Sequence, residues 1–234
     1  MTGTRRDQLK LLTEGEIISH NLLLWGSNYS FLVKVCGQEG VECYAVYKPR
    51  DGEAPLWDFP ADTLYKREYA AYLLSQVLGW PCIPPTVIRE GPNGIGSLQL
   101  FIEHDPSSNY FTVREAYRDQ LKAFASFDLV ANNADRKANH CILGEDNNVW
   151  GIDHGLTFHQ DLKVRTVIWD FGGEAIPDRY VSDLTTLEKN LSTPEGILKE
   201  FLDLLASEEV VALTERIRWI LSEGVYPEPY RSYR

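Results

Sequence analysis

Two aspartates, Asp135 and Asp153, stand 18 residues apart in a stretch, Phe127 to Phe158, where carboxylate, amide and imidazole side chains crowd between short apolar runs. Paired carboxylates can hold a hard divalent cation and accept a proton, provided that the chain brings them together. The residues between them predict how. Cys141-Ile142-Leu143 and Val149-Trp150-Gly151-Ile152 are apolar runs of strand length, and Gly144-Glu145-Asp146-Asn147-Asn148 has the composition of a hairpin turn. A hairpin returns its ends to one place, so Asp135 and His140 at its entrance are expected near Asp153 and His154 at its exit. Asn132-Asn133-Ala134-Asp135-Arg136 reads as an irregular loop, because Asn and Asp compete for backbone hydrogen bonds. Gly155 would let a ligand approach the backbone. Such a donor set suits a divalent cation that shares phosphate oxygens. Three histidines, His140, His154 and His159, raise the question of zinc, but their spacing matches no zinc signature.

The elements that must position this stretch follow from hydrophobic period and turn chemistry. Leu9 to Leu12 reads as a helical turn, then Glu16 to Trp25, Tyr29 to Cys36 and Val41 to Lys48 alternate as an antiparallel meander that Pro49 ends. Asp62 is expected to cap a helix through Leu64, Tyr65, Tyr69, Tyr72, Leu73 and Val77, with Gly79 terminating it. Thr86 to Arg89 and Ser97 to Glu103 read as two further strands. The turn-rich run from His104 to Asn109 then marks a boundary between a lobe of residues 1–105 and one of 106–234. In the second, Thr112 is expected to cap a long helix through Tyr117, Leu121, Phe124 and Leu129. Further helices are expected from Ser192 to Leu205 and from Ser207 to Gly224.

Composition narrows the function classes. At 234 residues the chain can bury roughly 70 to 75% of its unfolded surface, enough for a core without staples. A net charge of -11, from 23 basic and 34 acidic residues, argues against a nucleic acid or a stable membrane surface as partner, since both reward basic faces. No apolar run approaches the ~20 residues of a membrane span, and no signal-type segment follows Met1, so cytoplasmic residence is expected. The four cysteines, Cys36, Cys43, Cys82 and Cys141, lack metal or scaffold spacing and read as reduced thiols; pairing across the Gly37 to Gly40 turn would set Cys36 against Val41.

An antiparallel sheet with one main helix, a connector, then a mainly helical half carrying the polar loop and hairpin is an α+β order, and it is that of a bilobal protein-kinase-like fold. The motifs agree. Asn133-x-Asp135-Arg136 resembles the N-x-D-R catalytic loop, and Ile152-Asp153-His154-Gly155 the I-D-x-G metal motif, of the phosphatidylinositol 3- and 4-kinase-like superfamily, in particular its small bacterial kinase-like members. The resemblance implies an ATP-dependent phosphotransferase using Mg²⁺ or Mn²⁺, with a protein or small-molecule hydroxyl as acceptor. It implies that Asp135, with Arg136 and Lys137 beside it, serves the acceptor, and that Asp153 holds the metal. Lys48, at the end of the third strand, would contact the nucleotide phosphates, and Glu68, on the next helix, would be its ion-pair partner. Gly26, Ser27 and Asn28 would cover the phosphates, and Gln99, Phe101 and Ile102 would lie at the hinge near the adenine.

Two positions depart from the superfamily pattern. Where D-R-H-x-x-N is common, the chain has Asp135-Arg136-Lys137-Ala138-Asn139-His140, so Lys137 replaces a histidine and His140 stands in the place of a metal-binding asparagine. His140 would favour Mn²⁺ over Mg²⁺, and Asn139 is the alternative ligand. The same departures admit a nucleotide-binding pseudokinase-like module, and the fold would also admit transfer of AMP. Asp170-Phe171-Gly172 spells the metal motif of ordinary protein kinases but lacks a preceding hairpin, and Trp169 to Pro177 is expected to be a packed loop. The segment from His159 to Ile168 is expected to meet the acceptor. It carries only Lys163 and Arg165 as cations, fewer than a phosphoinositide head group rewards.

Overall fold

A computed structural model of the chain describes residues 4–23 and 28–228. They divide into two compact units, one running to Tyr72 and including Pro84–Glu103, the other formed by Leu73–Ile83 and the chain from His104 onward.

The first unit is built on strands β1 (Glu16–Leu23), β2 (Ser30–Cys36), β3 (Glu42–Pro49), β4 (Thr86–Gly91) and β5 (Gly94–Leu100). They form one antiparallel sheet in the order β1-β2-β3-β5-β4. Strict alternation explains why β3 forms where it does: Ala45 and Tyr47 are wholly buried while Val46 and Lys48 point to the other face. Helix α1 (Arg5–Glu14), capped by Thr4 and Asp7 in a reciprocal box, packs against the sheet, and its Leu12 joins Val33, Val35, Tyr47 and Leu98 in the core. The register sets Cys36 opposite Glu42, not Val41, and both Cys36 and Cys43 are free thiols. Strand β5 ends at Leu100, earlier than expected, although the Phe101 amide adds one more bond, to the Tyr44 carbonyl (2.9 Å).

Helix α2 (Leu64–Leu78) stops at Gly79, whose φ of 75° is the left-handed conformation expected of a C-terminal stop. Its start differs from expectation. Asp62 has a positive φ of 61°, and the carboxylate that accepts a first-turn amide, from Tyr65 (2.8 Å), belongs to Glu53. The sequence signal for a local cap is thus overridden by a residue nine positions earlier, in the loop that follows β3.

The second unit holds α3 (Tyr110–Val113), α4 (Arg118–Val130), the hairpin β6 (Cys141–Leu143) and β7 (Val149–Gly151), then α5 (Asp178–Asn190), α6 (Gly196–Leu202) and α7 (Ser207–Glu223). The long helix expected from Thr112 is broken in two. Asn109 takes the capping position, Thr112 reaches back to it, and α4 starts after Tyr117 with no side-chain cap. Helix α6 begins at Gly196 instead of Ser192. Helix α5 was not anticipated, though Tyr180, Leu184 and Leu187 recur at helical spacing and are all buried. Asp170-Phe171-Gly172 is a packed loop: Phe171 is buried against Tyr226 beneath Arg118 and Lys122, and the Asp170 carboxylate accepts from the Tyr110 hydroxyl at 2.5 Å.

Candidate active site

In the first unit, Lys48 near the end of β3 lies 2.5 Å from Oε1 of Glu68 on α2. Glu68 is 3% exposed at its side chain and Lys48 is 24%, so the glutamate is enclosed while the lysine side chain keeps some contact with solvent. Gln99 lies in β5 opposite Val46, and its side-chain amide donates to Thr86 Oγ1 (2.9 Å) instead of projecting from the sheet. Phe101 and Ile102 follow, partly buried. Gly26 and Ser27 lie outside the described residues. The Asn28 side chain accepts from the Ala54 amide (2.8 Å), so its oxygen is engaged by the loop after β3.

In the second unit, the hairpin does what its spacing predicts. Cys141 pairs with Gly151 and Leu143 with Val149, and the Ile152 amide donates to the His140 carbonyl (3.1 Å). Gly151 is required there because a Cβ would run into the Phe124 ring, so a side chain would push β7 off α4. Asp153 follows in a left-handed conformation (φ 60°), which Asp tolerates better than most residues, and its carboxylate is half exposed. Its Oδ2 lies 3.3 Å from His140 Nε2. His140 Nδ1 accepts from the Lys137 amide (3.4 Å), which leaves the ring proton on Nε2, facing Asp153. Burial, opposed by Asp153, pushes the His140 pKa down to about 4, so the ring is neutral at pH 7. Asn139 is exposed one position earlier in a short 3-10 turn, Ala138–His140.

The loop between α4 and the hairpin presents Asp135 and hides Arg136. Asp135 is partly exposed, its Oδ2 lies 2.7 Å from Lys137 Nζ, and its amide donates to Asn133 Oδ1 (3.0 Å). The Arg136 side chain has no exposed surface. Its Nε and Nη2 donate to Asp128, the closest contact being 2.8 Å, while Nη1 donates to the Ile152 carbonyl (3.2 Å) and more weakly to that of His140 (3.4 Å). Nη2 also meets His154 Nε2 at 2.8 Å. Burial opposes the charge, but Asp128 beside it holds the guanidinium above its ordinary pKa. A side chain so enclosed cannot touch a solvent-borne substrate, which corrects the expectation that Arg136 acts on the acceptor directly. It ties α4, the loop and both ends of the hairpin together.

Asp128 was missed in the sequence. It is wholly buried, and besides Arg136 it accepts from Asn133 Nδ2 (2.9 Å) and Thr166 Oγ1 (3.0 Å). The signal was present: a carboxylate inside the apolar run Phe127-Asp128-Leu129-Val130, on a helix whose last turns are buried all round. Among the described residues no three His, Cys, Asp or Glu side chains converge as a metal cluster.

A family model described as phosphatidylinositol 3- and 4-kinase matches residues 87–207, which span the loop, the hairpin and Asp153. The chain belongs to the phosphatidylinositol 3- and 4-kinase family. Protein Rv2133c of Mycobacterium tuberculosis is 35% identical to it, over 96% of this chain and 92% of that protein's own length. Phosphatidylinositol 4-kinase gamma 4 of rice (Oryza sativa subsp. japonica) is 30% identical over 47% of this chain, but that match spans only 23% of the plant protein. The fold is that of kinases: the Golgi casein kinase superposes with a TM-score of 0.54 at 20% identity, over 93% of this chain and 73% of that one. The Helicobacter pylori proinflammatory kinase CtkA gives 0.51 at 11% identity, over 92% and 94%.

Proposed function

We propose that this kinase-family chain is an ATP- and divalent-metal-dependent phosphotransferase whose acceptor is a protein or small-molecule hydroxyl. One observation carries the reading: the sealed Arg136 fixes the loop bearing Asp135 to both ends of the hairpin that delivers Asp153. Phosphoryl transfer asks for little covalent chemistry and much positioning, which is what this brace supplies.

Asp135 is partly exposed and oriented by the Asn133 side chain, so it can accept the proton of an acceptor hydroxyl. Lys137, 2.7 Å from it and more than half exposed, places a positive charge where the transferred group gains negative charge. Lys48 can exchange its Glu68 contact for nucleotide phosphate oxygens without leaving a buried ammonium behind. Asp153 and, from its exposed position, Asn139 would hold Mg²⁺ or Mn²⁺; the bound ion neutralises phosphate charge. His140 places Nε2 3.3 Å from the Asp153 carboxylate, so its role here is to orient that carboxylate instead of binding the cation. A structural neighbour of this fold, the Golgi casein kinase, is described with Mn/ADP bound, which supports nucleotide and metal use.

The acceptor follows from charge. A net charge of -11 and two cations between His159 and Ile168 favour a protein or small molecule over an anionic membrane or nucleic acid. No helix among the described residues is long and apolar enough to cross a membrane.

The test is incubation of purified chain with γ-labelled ATP and Mn²⁺ or Mg²⁺. The expected product carries label and a mass increase of ~80 Da; ~329 Da would instead show AMP transfer on the same fold. Nucleotide binding by calorimetry with neither product would establish the pseudokinase-like module.

A further inference from the structure

Asn132, three residues before Asp135, is wholly buried and has a positive φ of 52°. Its side chain spends every strong hydrogen-bonding capacity on one segment. Nδ2 donates to the carbonyls of His159 (2.8 Å) and Asp161 (2.7 Å), and Oδ1 accepts from the Lys163 amide (2.7 Å). Reversing the amide would set its NH₂ against an N–H and its oxygen against two carbonyls, so the partners fix its orientation. The same segment continues as a ladder along the loop: Arg165 N–H donates to the Asn133 carbonyl (2.9 Å), Arg136 N–H to that of Arg165 (2.9 Å), and Val167 N–H to that of Arg136 (3.0 Å). The outer side of the segment faces solvent, with Asp161, Leu162 and Arg165 exposed.

A strap that is exposed on one side and pinned on the other, running beside Asp135, is a preordered surface for an acceptor. We propose that Asn132 is a positioning residue for the phosphoryl acceptor: it clamps residues 159–163 so that residues 159–167 form a fixed platform beside Asp135, with no covalent modification needed to order it. This rests on the phosphotransferase reading. The backbone ladder alone leaves residues 159–163 without those three bonds, and Asn132 is the one side chain that makes all three. Its left-handed conformation explains the residue type: Asn adopts φ > 0 at low cost and still carries both donors and an acceptor, whereas Gly supplies only the conformation.

Asn132→Gly keeps the backbone permissible and deletes the clamp; Asn132→Asp keeps the acceptor and removes both donors. Three measurements on the full chain decide the matter: amide exchange of residues 159–167, ADP binding with Mn²⁺ by calorimetry, and label transfer from ATP to dephosphorylated casein and to the chain itself. With buried hydrogen bonds lost, exchange at Lys163 should rise ~10-fold or more and label transfer should fall ~10-fold or more, while ADP affinity stays within about twofold. Asn132→Asp should protect Lys163 better than Asn132→Gly does. Unchanged exchange in both variants overturns the clamp. Faster exchange with undiminished transfer overturns its role in positioning. Transfer and ADP affinity falling together would mark a merely structural residue and overturn the proposal too. No transfer by the unaltered chain would defeat the phosphotransferase reading and this proposal with it, and exchange would still report whether the clamp exists.

Discussion

Each unit contains a buried carboxylate paired with a basic side chain at the candidate site, and the two pairs are built for opposite purposes. Asp128 and Arg136 are both fully enclosed, and the guanidinium spends its donors on a carboxylate, two carbonyls and an imidazole. Glu68 is equally hidden, but Lys48 keeps 24% of its side chain exposed. The first pair cannot exchange partners without leaving an uncompensated buried charge, so it is a permanent brace. In the second only the carboxylate is enclosed, so the lysine end can move: a flexible ammonium released from Glu68 can swing towards solvent or a phosphate while the carboxylate stays in place. A catalytic apparatus needs both kinds, one to hold geometry and one to respond to the ligand.

The contrast can be broken where it is strongest. Asp128→Ala strands Arg136 in the interior and should cost ~3–5 kcal/mol of stability, read as a lowered midpoint in denaturant unfolding. A shift below ~1 kcal/mol, the scale of an exposed pair, would show that the brace is not a brace. Lys48→Met should act on the ligand: ATP affinity should fall about tenfold by calorimetry, a loss of ~1.4 kcal/mol, with unfolding shifted by less than Asp128→Ala shifts it, because only one end of the pair is enclosed. Equal effects of Lys48→Met and Asp128→Ala on stability would erase the distinction. Glu53→Ala, which removes the acceptor of the Tyr65 amide at the start of α2, should cost ~1 kcal/mol and loosen the helix that carries Glu68.

The smallest effect is one of pH. Burial holds the half-buried Glu53 carboxyl above the ordinary carboxylate pKa, despite the backbone amides that oppose the shift. The folded chain therefore binds this proton more tightly than the unfolded chain does. The contribution is fully present below the unfolded-state pKa and is lost as pH rises through the raised folded-state value. Relative to Glu53→Gln, which cannot titrate, unfolding experiments should show the wild-type chain gaining stability as pH falls across that window. The opposite slope would mean that the cap, not the burial, dominates.

What could be read in advance from the residues was set by short-range chemistry. The β6–β7 hairpin was legible because five turn-forming residues separate two apolar runs, and Gly79 because a helix end in the left-handed conformation selects glycine. The Lys48–Glu68 pair was reached through the resemblance and the order strand, lysine, helix, glutamate. What escaped was decided by distant partners. Glu53 displaced Asp62 as the acceptor at the start of α2, and the helix that periodicity joined is interrupted between Val113 and Arg118. Arg136 reads as a residue for the acceptor through its place beside Asp135 in the N-x-D-R motif; only burial against Asp128 shows that it faces inward. Asn132 read simply as loop, since nothing local announces that its amide will meet residues 27 to 31 positions later.

The central claim is that Asp153 takes part in phosphoryl transfer. It is tested most directly by comparing label transfer from γ-labelled ATP in Mn²⁺ by the wild-type chain and by Asp153→Asn, an exchange that keeps the shape and the tolerance for positive φ but removes the charge. The expected result is a loss of at least ~10²-fold with the unfolding midpoint unchanged, since a single preorganised electrostatic contact is worth that much in a closed site. Transfer by Asp153→Asn at the wild-type rate would contradict the account.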